Sequence, residues 1–199
     1  MKRFPSTRRT RSRRAKSSRP RSGASRRIAI TPEVRAYVRK IDAYRAGRTP
    51  IGLMRTAPTK FARAVAGLSA AQMRRRPSRG KWSVIEILGH LHDTEVVYGY
   101  RYRLSLSQPG SDILGYDQAR WADELRHRRS KAKRLLEQIL ILREGNLDAL
   151  LRVPRHYWKR YGVHNERGKE TVRRTLELIA GHDLNHIDQI RAIRKKYGW

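Results

Sequence analysis

Ser83 and Glu86 stand three residues apart at the head of an apolar run, and this spacing lets each side chain satisfy a backbone N–H that a new helix leaves unpaired. A helix therefore starts at Ser83. Nothing breaks it before Pro109 and Gly110, so it runs to about Ser107 and is long enough to cross a small bundle. Similar punctuation divides the rest of the chain. Thr31 followed by Pro32, with Gly47 beyond the far end, predicts a short helix from Pro32 to Arg45. Thr49 and Pro50 repeat the start signal for a stretch to about Ala66, on which Phe61 and Val65 share a face. One further turn fits Ser69 to Met73, ahead of a basic loop at Arg74, Arg75, Arg76 and Arg79. Tyr116, Asp117 and Trp121 fall on a short helical turn inside a polar connection. Leu135, Ile139, Leu142, Leu147, Leu150 and Leu151 give a long helix from about Ser130 to Leu151, which Pro154 closes. The last helix starts near Thr171 and reaches about Tyr197, with Gly198 suited to the left-handed residue after a helix end. Strand alternation is nowhere sustained. The fold class that follows is all-α, a four-helix bundle with a short N-terminal helix.

Charge divides the chain in two. Lys and Arg number 47 against 17 Asp and Glu, a formal +30, and residues 1–27 hold 12 of the basic side chains, no acidic ones and almost nothing apolar, which leaves +18 on the remainder. Residues 1–28 are accordingly expected to be a disordered Arg/Ser-rich tail, and residues 29–199 the folded domain. The tail suits either a solvating segment or an arm that holds nucleic acid non-specifically. It lacks the apolar helical face of an organelle transit peptide and the apolar centre of a secretory signal, and no stretch has the roughly 20 apolar residues of a membrane span. Cysteine is absent, so disulfides, thiolate ligands and a cysteine nucleophile are excluded, and a cytoplasmic protein is expected.

Any metal must bind through nitrogen and oxygen. His182 and His186 lie four apart on the last helix, where both imidazoles return to nearly one face and can grip one ion, although two polar side chains on a solvated face have the same spacing. Asp183 stands where a zincin-type protease carries Glu, which counts against that class. His90 and His92 are about 200° apart around their helix, so only one can meet the pair. His90 is the candidate, one turn from Glu86, Asp93 and Thr94. Glu86 is committed to its cap. Asp93 is the first candidate for a general base, with orientation of a ligand or a buried hydrogen bond as its other role. Asp183 and Asn185 are offset from the pair, and His164 reads either as a proton shuttle over the site or as a loop histidine in solvent.

The segment Gly80-Lys-Trp-Ser-Val-Ile-Glu-Ile-Leu-Gly-His-Leu-His-Asp-Thr-Glu95 resembles the second-helix signature of the DinB/YfiT-like superfamily, and Ile179-Ala-Gly-His-Asp-Leu-Asn-His-Ile187 resembles its final-helix signature. Gly115-Tyr-Asp-Gln, Trp121-Ala and Gly162-Val-His-Asn-Glu-Arg-Gly168 extend the resemblance over roughly residues 31–197. The resemblance implies a four-helix bundle whose metal ligands fall here on His90, His182 and His186. It also implies open coordination positions for water or a thiol on a divalent ion, with nickel, zinc, iron and manganese all compatible with imidazole.

Two functions follow. One is a metal-dependent hydrolase or thiol-dependent transferase, using a low-molecular-weight thiol in the second case, on a small substrate; the body's charge, higher than usual in the resembled family, favours an anionic one. The other is a non-catalytic polyanion-binding protein with a structural metal, for which Arg126 to Arg134 offers the best patch on the folded body. A homodimer is common among resembling proteins and is expected here, with Tyr98 and Tyr102 as contacts for either core or dimer.

Overall fold

The computed structural model describes residues 29–199, and the tail expected over residues 1–28 lies outside the described residues. Helix α1 (Pro32–Arg45) begins as its sequence dictates, with Pro32 in the first turn and the Thr31 hydroxyl accepting the Val34 N–H at 3.3 Å. Helix α2 (Pro50–Val65) follows. A single turn, α3 (Ala70–Arg74), carries a reciprocal cap between Ser69 and Gln72 that repeats the logic of Ser83 and Glu86. Helix α4 (Val84–Ser107) starts where Glu86 Oε2 accepts the Ser83 N–H at 2.8 Å and the Ser83 hydroxyl at 2.5 Å, and Arg76 pairs with the same carboxylate. The short α5 (Gln118–Glu124), the long α6 (Ala132–Arg152) and the longest helix, α7 (Val172–Tyr197), complete the helices.

Four of these form the bundle. α2 and α4 each pack against both α6 and α7, which places the helices in the cyclic order α2, α7, α4, α6, and α1 lies along the outside of α7. Two apolar clusters fill the interior, one around Phe61, Leu88, Ile139 and Ile190, the other around Met54, Leu150, Leu176 and Ile179. Between them runs a polar layer that the helical periodicity conceals. Arg143 of α6, only 2% exposed, reaches Glu95 of α4 at 2.6 Å, Asp183 of α7 at 2.9 Å and the Met54 carbonyl of α2 at 2.9 Å, so one guanidinium ties all four helices. Tyr102 is buried in the second cluster, which assigns it to the core.

The chain also forms a small sheet that alternation alone does not announce: β1 (Asp112–Ile113) pairs in parallel with β2 (Tyr161–His164), and β2 pairs antiparallel with β3 (Gly168–Thr171). Its strands have at most four residues, too short for a period of two to stand out. The signal present was the Asn165-Glu166-Arg167 loop closed by Gly168 at φ +73°, a three-residue hairpin turn with glycine in the left-handed region.

Close approach of α1 to α7 requires Gly181, because a Cβ there would lie 2.1 Å from the Ile41 carbonyl oxygen. Gly181→Ala is expected to lower stability by about 1–3 kcal/mol through overpacking. Gly145→Ala, on a helical face with no atom near the new methyl, is expected to raise it by about 0.5–1 kcal/mol. Thermal melts of the two variants check both signs.

Candidate metal centre

Helices α4 and α7 supply the site. His182 and His186 leave α7 one turn apart on the side turned to α4, where His90 meets them. The His182 Nε2 lies 2.9 Å from His90 Nε2 and 3.0 Å from His186 Nε2, and one nitrogen from each ring falls within 4.8 Å of the other two. All three side chains are buried. His92, on the other side of α4, is half-buried and lies 3.4 Å from Asp93 Oδ1.

Whether these residues suit a cation is decided by their protons. His186 Nδ1 lies 3.0 Å from Gln189 Oε1, an atom that can only accept, so the His186 proton belongs on Nδ1 and its Nε2 lone pair faces the cluster. His182 Nε2 faces two other ring nitrogens at once, and one proton can bridge only one of those gaps. A single cation satisfies all three lone pairs, so the donor set fits one. Burial first, and then neighbouring His182, holds His90 and His186 well below the usual imidazole range, which keeps them neutral and able to donate electron pairs. His182 Nδ1 is buried without a hydrogen-bond partner among the described residues, and Asp183 Oδ1 stands 3.9 Å from it. Asp183 otherwise faces Arg143 in the core.

Trp82 walls one side, its ring centroid 4.9 Å from that of His90 and 6.4 Å from that of His186. Asp93 lies on α4 behind His90, where its Oδ2 accepts from His127 Nε2 at 2.6 Å. Burial pushes the Asp93 carboxyl up, but the hydrogen bonds from His127 and His92 outweigh it and hold the group below the usual carboxylate range. His127 fits there because Gly89 presents bare backbone: a Cβ at Gly89 would stand 2.3 Å from the His127 ring.

Two hollows flank the imidazoles. An open groove of about 670 Å³ reaches His186 past Trp82, Lys81 and Lys196. A narrower slot of about 50 Å³ reaches His90 and His182 and is lined further along by Tyr98, Arg101, Tyr116 and His164. Tyr98, one of the two tyrosines open to either role, thus lines this slot. The Tyr116 hydroxyl is 3.5 Å from Thr94 Oγ1, and burial pushes its phenol up to about 12, so it stays protonated.

His164 is not a loop residue in solvent. It ends strand β2 and is 1% exposed, because the hairpin folds it inward over the slot. Its Nδ1 accepts the Glu166 N–H at 3.1 Å, which leaves the proton on Nε2, an atom buried without a partner among the described residues. Burial, then Arg167 and Arg101, hold its pKa at about 3 against an ordinary 6.5. As pH falls below about 6.5 the unfolded chain takes up this proton first, so His164 contributes stability above that pH and loses it progressively towards about pH 3. A His164→Gln chain is expected to show a flatter fall of Tm between about pH 7 and pH 4. An unchanged slope would mean that His164 does not hold its neutral form in the fold.

Some of these residues carry no sequence signal. Gln189 could have been found, since it stands three residues after His186 on one helix face. His127 and Arg101 could not, because what makes them notable is a partner 34 residues away in one case and a missing counter-charge in the other.

A sequence model of the DinB superfamily matches residues 53–190. The protein named "Putative metal-dependent hydrolase YfiT" of Bacillus subtilis (strain 168) is 28% identical over 153 residues, which cover 75% of this chain and 84% of that one. A protein of Bacillus cereus (strain 03BB102) named "Putative metal-dependent hydrolase" is 22% identical over 142 residues, covering 71% and 82%. Among solved structures, YfiT from Bacillus subtilis, described as a probable metal-dependent hydrolase with an unusual four-helix bundle topology, superposes with a TM-score of 0.71 at 22% identity, over 87% of this chain and 93% of that one.

Proposed function

This chain belongs to the DinB superfamily, and on that premise we propose that it is a metal-dependent enzyme acting on a small substrate, by hydrolysis or by transfer to a low-molecular-weight thiol. The observation that carries the reading is the meeting of three Nε2 atoms from His90, His182 and His186 between α4 and α7. A divalent ion held there (nickel, zinc, iron or manganese) would acidify a water or thiol and polarise a substrate oxygen. The names of the similar proteins point the same way.

The chain's own residues divide the remaining work. Gln189 fixes the His186 tautomer so that Nε2 stays free of a proton. Trp82 covers one side of His90 and His186 with an apolar ring and lowers the local dielectric there. The Asp93 carboxylate favours positive charge at His90, and His127 holds it in place. Asp93 bonds His127 and His92 and reaches His90 only through its charge, so Asp93→Asn is expected to weaken metal binding by less than the roughly 10–100-fold that loss of a hydrogen-bonded outer partner causes. If the variant instead keeps its metal and loses turnover, Asp93 moves protons as a general base.

The test is turnover of small esters and amides, and consumption of electrophiles in the presence of a small thiol, by chelator-treated full-length protein reloaded with each metal in turn. Activity is expected only after reloading and not in a His186→Ala chain. Turnover that survives removal of the metal overturns the proposal.

A further inference from the structure

Arg101 is 4% exposed, yet among the described residues it forms no ion pair. Its one hydrogen bond goes to the Leu114 carbonyl at 2.6 Å, and its guanidinium carbon lies 4.8 Å from the Tyr98 ring centre. Buried guanidinium groups are nearly always paired, because desolvating a lone charge is expensive and a single carbonyl returns little of that loss. Arg143, in the same fold, shows the ordinary solution, with two carboxylates around it. Arg101 departs from that pattern where it lines the slot leading to His90 and His182.

A second unsatisfied group lines the same slot. His164 is buried, carries its proton on Nε2, and gives that proton to no acceptor among the described residues. A lone buried cation and a lone buried N–H donor beside one hollow both call for an acceptor that carries negative charge.

Charge and size select among anions. Arg167 and Glu166 also line the slot; Glu170 engages the Arg167 guanidinium, and the Glu166 side chain is exposed to solvent and forms no ion pair with Arg101. One positive charge, that of Arg101, is therefore left uncompensated in the interior. That suits a monoanionic carboxylate better than a phosphate, which carries up to two charges near neutral pH. A free volume of about 50 Å³ also admits only a narrow group. Along α4 the lining residues His90, Thr94, Tyr98 and Arg101 climb about 16 Å at their Cα atoms, and the Arg101 side chain folds back over Tyr98, so the slot is elongated with the imidazoles at its other end.

We infer that the slot receives a small, elongated carboxylic acid, its carboxylate held by Arg101 and the His164 Nε2–H and its opposite end placed at the three imidazoles. This names the substrate class for the enzyme proposed above and rests on that reading only for what happens at the imidazole end. The carboxylate end is testable without metal.

The probes are butyrate, butyramide and inorganic phosphate, titrated into the full-length chain both chelator-treated and zinc-loaded, with binding read by calorimetry and by Tm. Butyrate at ten times its Kd is expected to raise Tm by about 4 °C with or without zinc, and butyramide to bind about tenfold more weakly or not at all. Arg101→Met is expected to reduce butyrate affinity at least about tenfold, to keep the zinc content of the parent, and to melt no lower than the parent without ligand, since it removes an unpaired buried charge. Arg101→Lys, which keeps the charge but not the planar fork, should fall between.

Equal binding of butyrate and butyramide, or undiminished butyrate binding by Arg101→Met, would overturn the inference. Phosphate binding more tightly than butyrate would make this a phosphate site instead. Butyrate binding that disappears with zinc would make the carboxylate a metal ligand and would also overturn it. Should Arg101→Met fail to fold, Arg101→Lys and the butyrate–butyramide comparison on the parent chain decide the matter. Loss of the metal reading alone, seen as full zinc content in His186→Ala, leaves these outcomes unaffected.

Discussion

Replacing His186 by alanine in the full chain is expected to leave almost no metal bound after dialysis against a mild chelator, whereas the parent keeps close to one ion per chain. The reason is geometric. His186 Nε2 is one of three donors around a single point, and its loss leaves two donors on different helices with no third to close the set. Affinity should fall by more than the roughly 10–100-fold that loss of an outer partner causes. Gln189→Ala, which frees the His186 ring to choose its tautomer, belongs in that milder range. His92→Ala should have the smallest effect, since His92 lies apart from the cluster and reaches it only through Asp93. Elemental analysis of the four proteins orders them, and His186→Ala retaining a full ion would break the order.

The second large effect lies away from the site. Arg143→Met is expected to destabilise the fold by about 3–5 kcal/mol, because it leaves Glu95 and Asp183 as buried carboxylates without their shared cation. At this chain length that is a drop in Tm on the order of 10 °C. Adding Glu95→Gln and Asp183→Asn to the same chain should recover most of the loss, since no uncompensated charge is then left inside. The triple variant melting as low as Arg143→Met would show that Arg143 acts through packing of its stem and not through its charge.

The contrast between these two sets of residues shows what a sequence can reveal. The bundle was legible because helix starts and stops are local: Thr31 with Pro32, Thr49 with Pro50 and Ser83 with Glu86 act across three residues or fewer. The His182 and His186 pair was legible for the same reason, and His90 joined it through the polar stripe it forms on α4. Arg143 gave no such notice. On α6 it stands among leucines and isoleucines like any charged residue on a helix, and only the fold brings Glu95 and Asp183 to it from two other helices. Arg101 is hidden in the opposite way, since its significance lies in the partner it lacks. The hairpin was missed because four-residue strands give alternation too little length, and with it went the burial of His164. Local spacing therefore announces caps and paired ligands, while buried charge arranged across helices appears only with the fold.

The most direct test of the central claim is X-ray absorption at the metal edge of the reloaded full-length protein. Three imidazole nitrogens at about 2.0–2.1 Å are expected in the first coordination shell, falling to two in His90→Ala. A shell made only of water and carboxylate oxygens, unchanged by that substitution, would contradict the account.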